Sequence, residues 1–124
     1  MIFLKGASKK LIDDNEDLRR AVIVELFSSV IKDTPVDEGR AQGNWQTSHT
    51  VARYEEVAGA KSGAAALDDV KSTVNSSIDK DLFLSNNVPY INRLEYDGWS
   101  DQAPRGMVRK NMARVSRNIR KHQL

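Results

Sequence analysis

Apolar residues between positions 14 and 32 fall in two adjoining rows. Leu18, Val22, Leu26 and Val30 recur at every fourth position, with Ile23, Phe27 and Ile31 beside them. The two rows together make a wide apolar stripe, which predicts an α-helix covered on more than one side. A central core helix explains this, and so does a helix with one flank against another subunit. Asp13 or Asp14 can cap its start, and Glu16 and Asp17 suit the positive end of the helix dipole. Pro35 drives the residue before it out of the α region, so the helix ends there.

Later segments change period. Asn44 to Tyr54 is rich in β-branched and aromatic residues and predicts a strand. Residues 58–66 are rich in Gly, Ala and Ser, as in a loop or a helix start. From Ala64 to Ile78, Leu67, Val70, Val74 and Ile78 give the thin stripe of a surface helix. Asp81 to Asn86 reads as a short strand and Tyr90 to Tyr96 as a short helix. Turn residues follow at Asp97-Gly98-Trp99-Ser100, and Ala103-Pro104-Arg105-Gly106 breaks the chain before a last helix over about 106–122. In that helix Val108, Met112, Val115 and Ile119 predict one narrow apolar seam.

The length of 124 residues fits a single domain, 1–124, with one core. Net charge is +2, but residues 105–124 hold seven Lys and Arg and no acid, leaving 12 basic and 17 acidic residues before them. An acidic body joined to a basic helix suits association with a polyanion or with the body of a neighbouring copy. There are no cysteines, which excludes disulfides and thiolate chemistry. No apolar run reaches the ~18 residues that span a bilayer, and Met1 to Lys5 does not resemble a signal peptide. Synthesis in the cytoplasm of the producing cell is expected.

Candidate chemistry is sparse. His49 and His122 are far apart and outside any metal-binding spacing, and Asp13-Asp14 and Asp68-Asp69 lack the alternation of a calcium loop. No serine lies in a nucleophile elbow, and the glycines follow no nucleotide-binding pattern. The expectation is a protein with no enzymatic activity, metal or cofactor. The cations of the last helix admit three readings: contact with nucleic acid, contact with an acidic protein surface, or a solvated face. Trp45 reads as core, and Trp99 equally as core or as an interface anchor.

Two blocks stand out: Thr34-Pro35-Val36-Asp37-Glu38-Gly39-Arg40 with Asn44-Trp45, and the dense run from Leu82 to Val108. Both combine aromatics, turn formers and Asn in a way that suits holding a surface in shape. In order and spacing, the first block, then Asn86-Asn87-Val88-Pro89-Tyr90-Ile91, Leu94-Glu95-Tyr96, Gly98-Trp99-Ser100, Gln102-Ala103-Pro104 and Gly106-Met107-Val108, resemble the minor tail-component proteins of tailed bacteriophages. These are neck or tail-completion proteins that join head to tail. Glu38 and the additional Asp97 depart from that pattern.

The resemblance implies an α+β fold, with a long N-terminal helix and a basic C-terminal helix packed on a small, mostly antiparallel sheet. It implies a structural virion protein of the tail or neck, assembled as a homo-oligomeric, sixfold ring beside other neck and tail proteins. Non-specific contact with DNA in the channel is part of that expectation, and a DNA-binding module using the last helix is the alternative. The interface candidates are Arg40, Trp45, Tyr90, Glu95, Trp99, Gln102, Arg109, Arg114, Arg117 and Lys121. Arg40 is expected to form a charged corner with Asp37 and Glu38, and Glu95 to pair with Arg93 or Arg105 within or across subunits. On this reading Glu95→Gln weakens the ring but leaves the subunit folded, and removal of residues 109–124 abolishes attachment without unfolding.

Overall fold

A computed structural model describes residues 2–5, 16–36, 39–97, 100 and 102–123, with the backbone alone for 2–5 and 119–123. The chain is α+β. Strand β1 (Ile2–Lys5) precedes helix α1 (Glu16–Asp33), the four-residue helix α2 (Arg40–Gly43) and strand β2 (Gln46–His49). Helix α3 (Ala64–Ser76), strand β3 (Leu82–Asn86), helix α4 (Ile91–Tyr96) and helix α5 (Val108–Gln123) follow. The expected caps of α1, Asp13 and Asp14, lie outside the described residues.

The sheet is antiparallel throughout, in the order β1-β3-β2. Ile2 pairs with Asn86 and Lys5 with Phe83 on one side of β3; Gln46 pairs with Ser85 and His49 with Leu82 on the other. The central strand, flanked on both sides, buries Leu82 and Leu84 completely. α1 adds Ile23, Phe27, Val30 and Ile31 to the same core, α3 adds Val70 and Val74, and Trp45 fills it from the start of β2. Met107, Val108 and Val115 bring the last helix into this cluster.

Two local expectations are corrected, and one element is added: the N-terminal residues, for which no element was predicted, make an edge strand. The strand expected over 44–54 spans only Gln46–His49: Thr50 takes φ 72°, a left-handed conformation that takes the chain out of the ladder, and the Ser48 hydroxyl holds the Val51 carbonyl at 2.7 Å. In α5 the inner line is Met107, Val108, Asn111 and Val115, while Met112 is 43% exposed. Asn111 tolerates burial because its amide donates to the Asp33 carboxylate (2.9 Å) and the Met107 carbonyl (2.8 Å). The side chain of Ile119, the last position of the expected seam, lies outside the described residues.

Candidate docking surface

Between β2 and α3 the chain runs through residues 50–63 with neither helix nor strand beyond turns. A long irregular stretch has no ladder of its own for its backbone groups, so something else must fix it. Side chains from the two sequence blocks and from α2 supply the bonds. Asn44, fully buried, accepts from the Val57 amide (2.6 Å) and donates to the Val57 carbonyl (3.3 Å) and the Arg40 carbonyl (2.8 Å). Asn87 donates to the carbonyls of Arg53 (3.0 Å) and Glu55 (3.2 Å), and Gln46 donates to the same Glu55 carbonyl. The Gln42 amide oxygen takes the Gly63 N–H at 3.1 Å.

Packing closes the far end of this stretch. Gly39 sits at φ +80°, and a Cβ there would overlap the Lys61 carbonyl. At Gly43 a Cβ would fall 2.5 Å from the Ser62 carbonyl. The two glycines therefore let residues 61–62 lie directly on α2. Arg40 grips Glu56 through two guanidinium contacts on separate carboxylate oxygens (2.8 and 2.9 Å) and stands over the Tyr90 ring, 5.7 Å from its centre. The Glu56 hydrogen bond and charge raise the Arg40 pKa above its ordinary value. Arg40 thus has Glu56 as its partner; Asp37 and Glu38, its expected partners, lie outside the described residues.

The fixed segment presents apolar side chains among charged ones, Arg53 and Glu55 included. Val51 is 64% exposed and Tyr54 72%, with Val57 also exposed. A groove of about 900 Å³ runs between this segment, β2 and α3, lined by Val51 and Val57 on one side and Ala65 and Ala66 on the other. Trp45 and Thr47 lie at its base. The Thr47 hydroxyl is buried without a hydrogen-bond partner among the described residues.

The same blocks also tie the fold to itself. Trp45 donates its indole N–H to Thr34 (2.8 Å), whose hydroxyl donates to the Val30 carbonyl (2.7 Å) and closes the end of α1. Asn86 donates to the Ala41 carbonyl at 2.8 Å. The Gln102 amide pairs with both backbone groups of Val36 (2.9 and 3.3 Å), joining the two blocks.

Glu95 is the correction of most consequence. It is fully buried, and it pairs within the chain with Arg109, where Arg93 or Arg105 was the expected partner. One carboxylate oxygen accepts the N–H groups of Met107 and Val108 at 2.8 Å each; the other accepts the Arg109 N–H at 3.1 Å and the Arg109 Nε at 2.9 Å. Arg109 also donates to the Glu95 carbonyl, and its guanidinium lies 4.8 Å from the centre of the Tyr96 ring. The carboxylate thus satisfies the unpaired N–H groups at the start of α5 and sits at the positive end of its dipole. Gly106, at φ +79°, leaves it room: a Cβ there would fall 2.5 Å from the Glu95 carboxylate.

Further along α5, cations meet acids of α1. Lys110 lies 3.1 Å from Asp33 and Arg114 lies 2.7 Å from Glu25. Partial burial pushes the Asp33 carboxyl upward, but hydrogen bonds from Asn111 and Lys110 and the charges of Lys110 and Arg114 outweigh it, so its pKa lies below the ordinary value of 3.8. Of the seven C-terminal cations, Arg109, Lys110 and Arg114 are therefore engaged inside the chain, while Arg105 and Arg117 are exposed. The side chain of Lys121, and all of Trp99, lie outside the described residues.

Arg40 and Tyr90 thus stand beside the stitched segment, Trp45 lies beneath it, Gln102 ties the second block to Val36, and Glu95, Arg109 and Arg114 form a separate anchor for α5. Sequence reasoning missed Gln42, Gln46, Glu56 and Asn111. Asn111 alone carried a signal, a polar residue one step from an apolar seam. Comparison with protein-family models, curated proteins and solved structures finds no match to this chain.

Proposed function

We propose that this chain is a structural virion protein of a tailed phage, a neck or tail-completion subunit that assembles as a ring and joins the tail to the head connector. The observation that carries the reading is the use made of the two blocks that resemble that family. Their side chains fix one irregular backbone segment, and that segment exposes Val51, Tyr54 and Val57. Ordering such a stretch costs roughly 1–2 kcal/mol of backbone entropy per residue. A subunit that must meet its neighbours in one geometry benefits from meeting that cost before assembly.

Electrostatics favours a protein partner for this fold over DNA. Three cations of the last helix are already matched by Glu95, Asp33 and Glu25, which lowers the number left to neutralise phosphates. Electron microscopy of intact particles labelled with an antibody to this chain tests the proposal. Label is expected at the junction of head and tail. Label confined to another part of the particle, or particles without the chain, would overturn it.

A further inference from the structure

We propose that residues 51–58 form a strap that opens and closes as a unit, hinged at Thr50 and Gly59, while the core stays folded. Thr50 carries the argument. It is a β-branched residue at φ 72°, a backbone outlier for its type. It sits at the centre of a γ-turn, with the Val51 N–H donating to the His49 carbonyl at 2.8 Å. A γ-turn with positive φ is strained, and such strain persists only where neighbouring contacts over-determine it. Those contacts are specific. The Thr50 N–H makes a last ladder bond to the Asp81 carbonyl (2.8 Å), and the Ser48 hydroxyl staples the Val51 carbonyl (2.7 Å). Further on, the amide side chains of Asn44, Gln46 and Asn87 hold Arg53, Glu55 and Val57, and Arg40 grips Glu56.

The strap has little else to hold it. Ala52 is its one buried side chain, and the rest of residues 51–58 are exposed. A segment with so little buried apolar surface opens at a small fraction of the global unfolding cost. Gly59, at φ +72° with open space where a Cβ would lie, supplies the second pivot. Beyond it the chain is pinned again, with Ala60 and Ser62 against Gly43 and Lys61 against Gly39. A strained turn at one end and an unobstructed glycine at the other can absorb the dihedral changes of a hinge motion. Residue types add to the balance. Thr50, Val51 and Tyr54 favour extended chain, so continuation of β2 past His49 competes with the turn. Val51, Tyr54 and Val57 keep one geometry only while the strap is closed, so its closure governs when that surface can be docked upon. The motion belongs to the single chain and does not rest on the ring reading.

Amide exchange of the full-length chain, followed by NMR, tests the strap at Val51 and Val57, whose N–H groups are bonded near its opposite ends. Thr50→Gly removes the strain, and the freedom of glycine in the open state takes back part of the gain. Protection is expected to rise at both amides by roughly fivefold. Asn87→Ala touches neither amide but removes the bonds to Arg53 and Glu55, and is expected to lower protection at both by roughly tenfold. Thr50→Val keeps the branched side chain and loses the hydroxyl contact with His49 (3.1 Å), so it should not raise protection. Val70 and Val74 of α3 are expected to keep wild-type protection throughout. Should either main variant misfold, Thr50→Asn, which tolerates positive φ, and Asn87→Ser take their places. Unchanged or lower protection in Thr50→Gly would overturn the strained hinge. A response at one of the two amides alone would overturn opening as a unit. An equal loss at Val70 and Val74 in Asn87→Ala would show strap and core opening together and overturn the device.

Discussion

Glu95 shows how one residue's role can invert between sequence and structure. In sequence it is a carboxylate near Arg93 and Arg105 and suits an ion pair within or across subunits. In the fold it is sealed beneath the start of α5 with four donors around it. No local pattern announces this, because the donors lie more than ten residues further on and are mostly backbone groups. Asn44 and Asn87 are similar: their type suggests turn chemistry, but their partners lie across the surface at Val57, Arg53 and Glu55. Glu95→Gln places an amide NH₂ against backbone donors and takes the negative charge from the helix start. It is expected to lower stability by roughly 2–4 kcal/mol, seen as a fall of roughly 10 °C in Tm. A wild-type Tm with weakened assembly would restore Glu95 to the interface.

Elements were more legible than residues, because periodicity reports burial directly. The stripe of α1 gave its span, and Leu67, Val70 and Val74 gave α3. Legibility failed where geometry turns on one backbone angle or on pairing with distant chain, as at Thr50 and β1. It also failed in α5, where the inner line passes through a polar residue. Among the described residues of α5 the buried apolar side chains are Val108 and Val115, and the Lys110, Asn111 and Arg114 contacts with Asp33 and Glu25 add to its hold on α1. Asp33 has a folded-state pKa below its ordinary 3.8. Its contribution is therefore complete above that pH and is lost as pH falls through the folded-state value. Acidification from about pH 4 downward is expected to loosen α5 first, read as faster amide exchange across residues 108–115 than across α3. Asp33→Asn should flatten this dependence, and an unchanged pH profile in that variant would assign the acid sensitivity elsewhere.

At the scale of the molecule the charge asymmetry was visible in the sequence, but its meaning was not. Part of it is spent inside the chain, so the start of the last helix is an integral wall of the core. Val115 is its last described buried side chain; Ser116, Arg117 and Asn118 are exposed. Removing residues 109–124 would take away Arg109, Asn111 and Val115, uncover Met107 and leave Glu95 without its guanidinium partner. Loss of cooperative folding is expected, contrary to the sequence-based expectation of a clean loss of attachment. A shorter deletion, 117–124, spares every described core contact and removes Arg117, Arg120 and Lys121. It should melt cooperatively near the wild-type Tm, while ring assembly, deprived of charge attraction, becomes weaker and less sensitive to salt. Calorimetry and mass photometry across a salt series read the two effects separately. A cooperative melt of the longer deletion would show that α5 is an appendage rather than a wall, and unaltered salt dependence in the shorter one would remove its basic end from assembly.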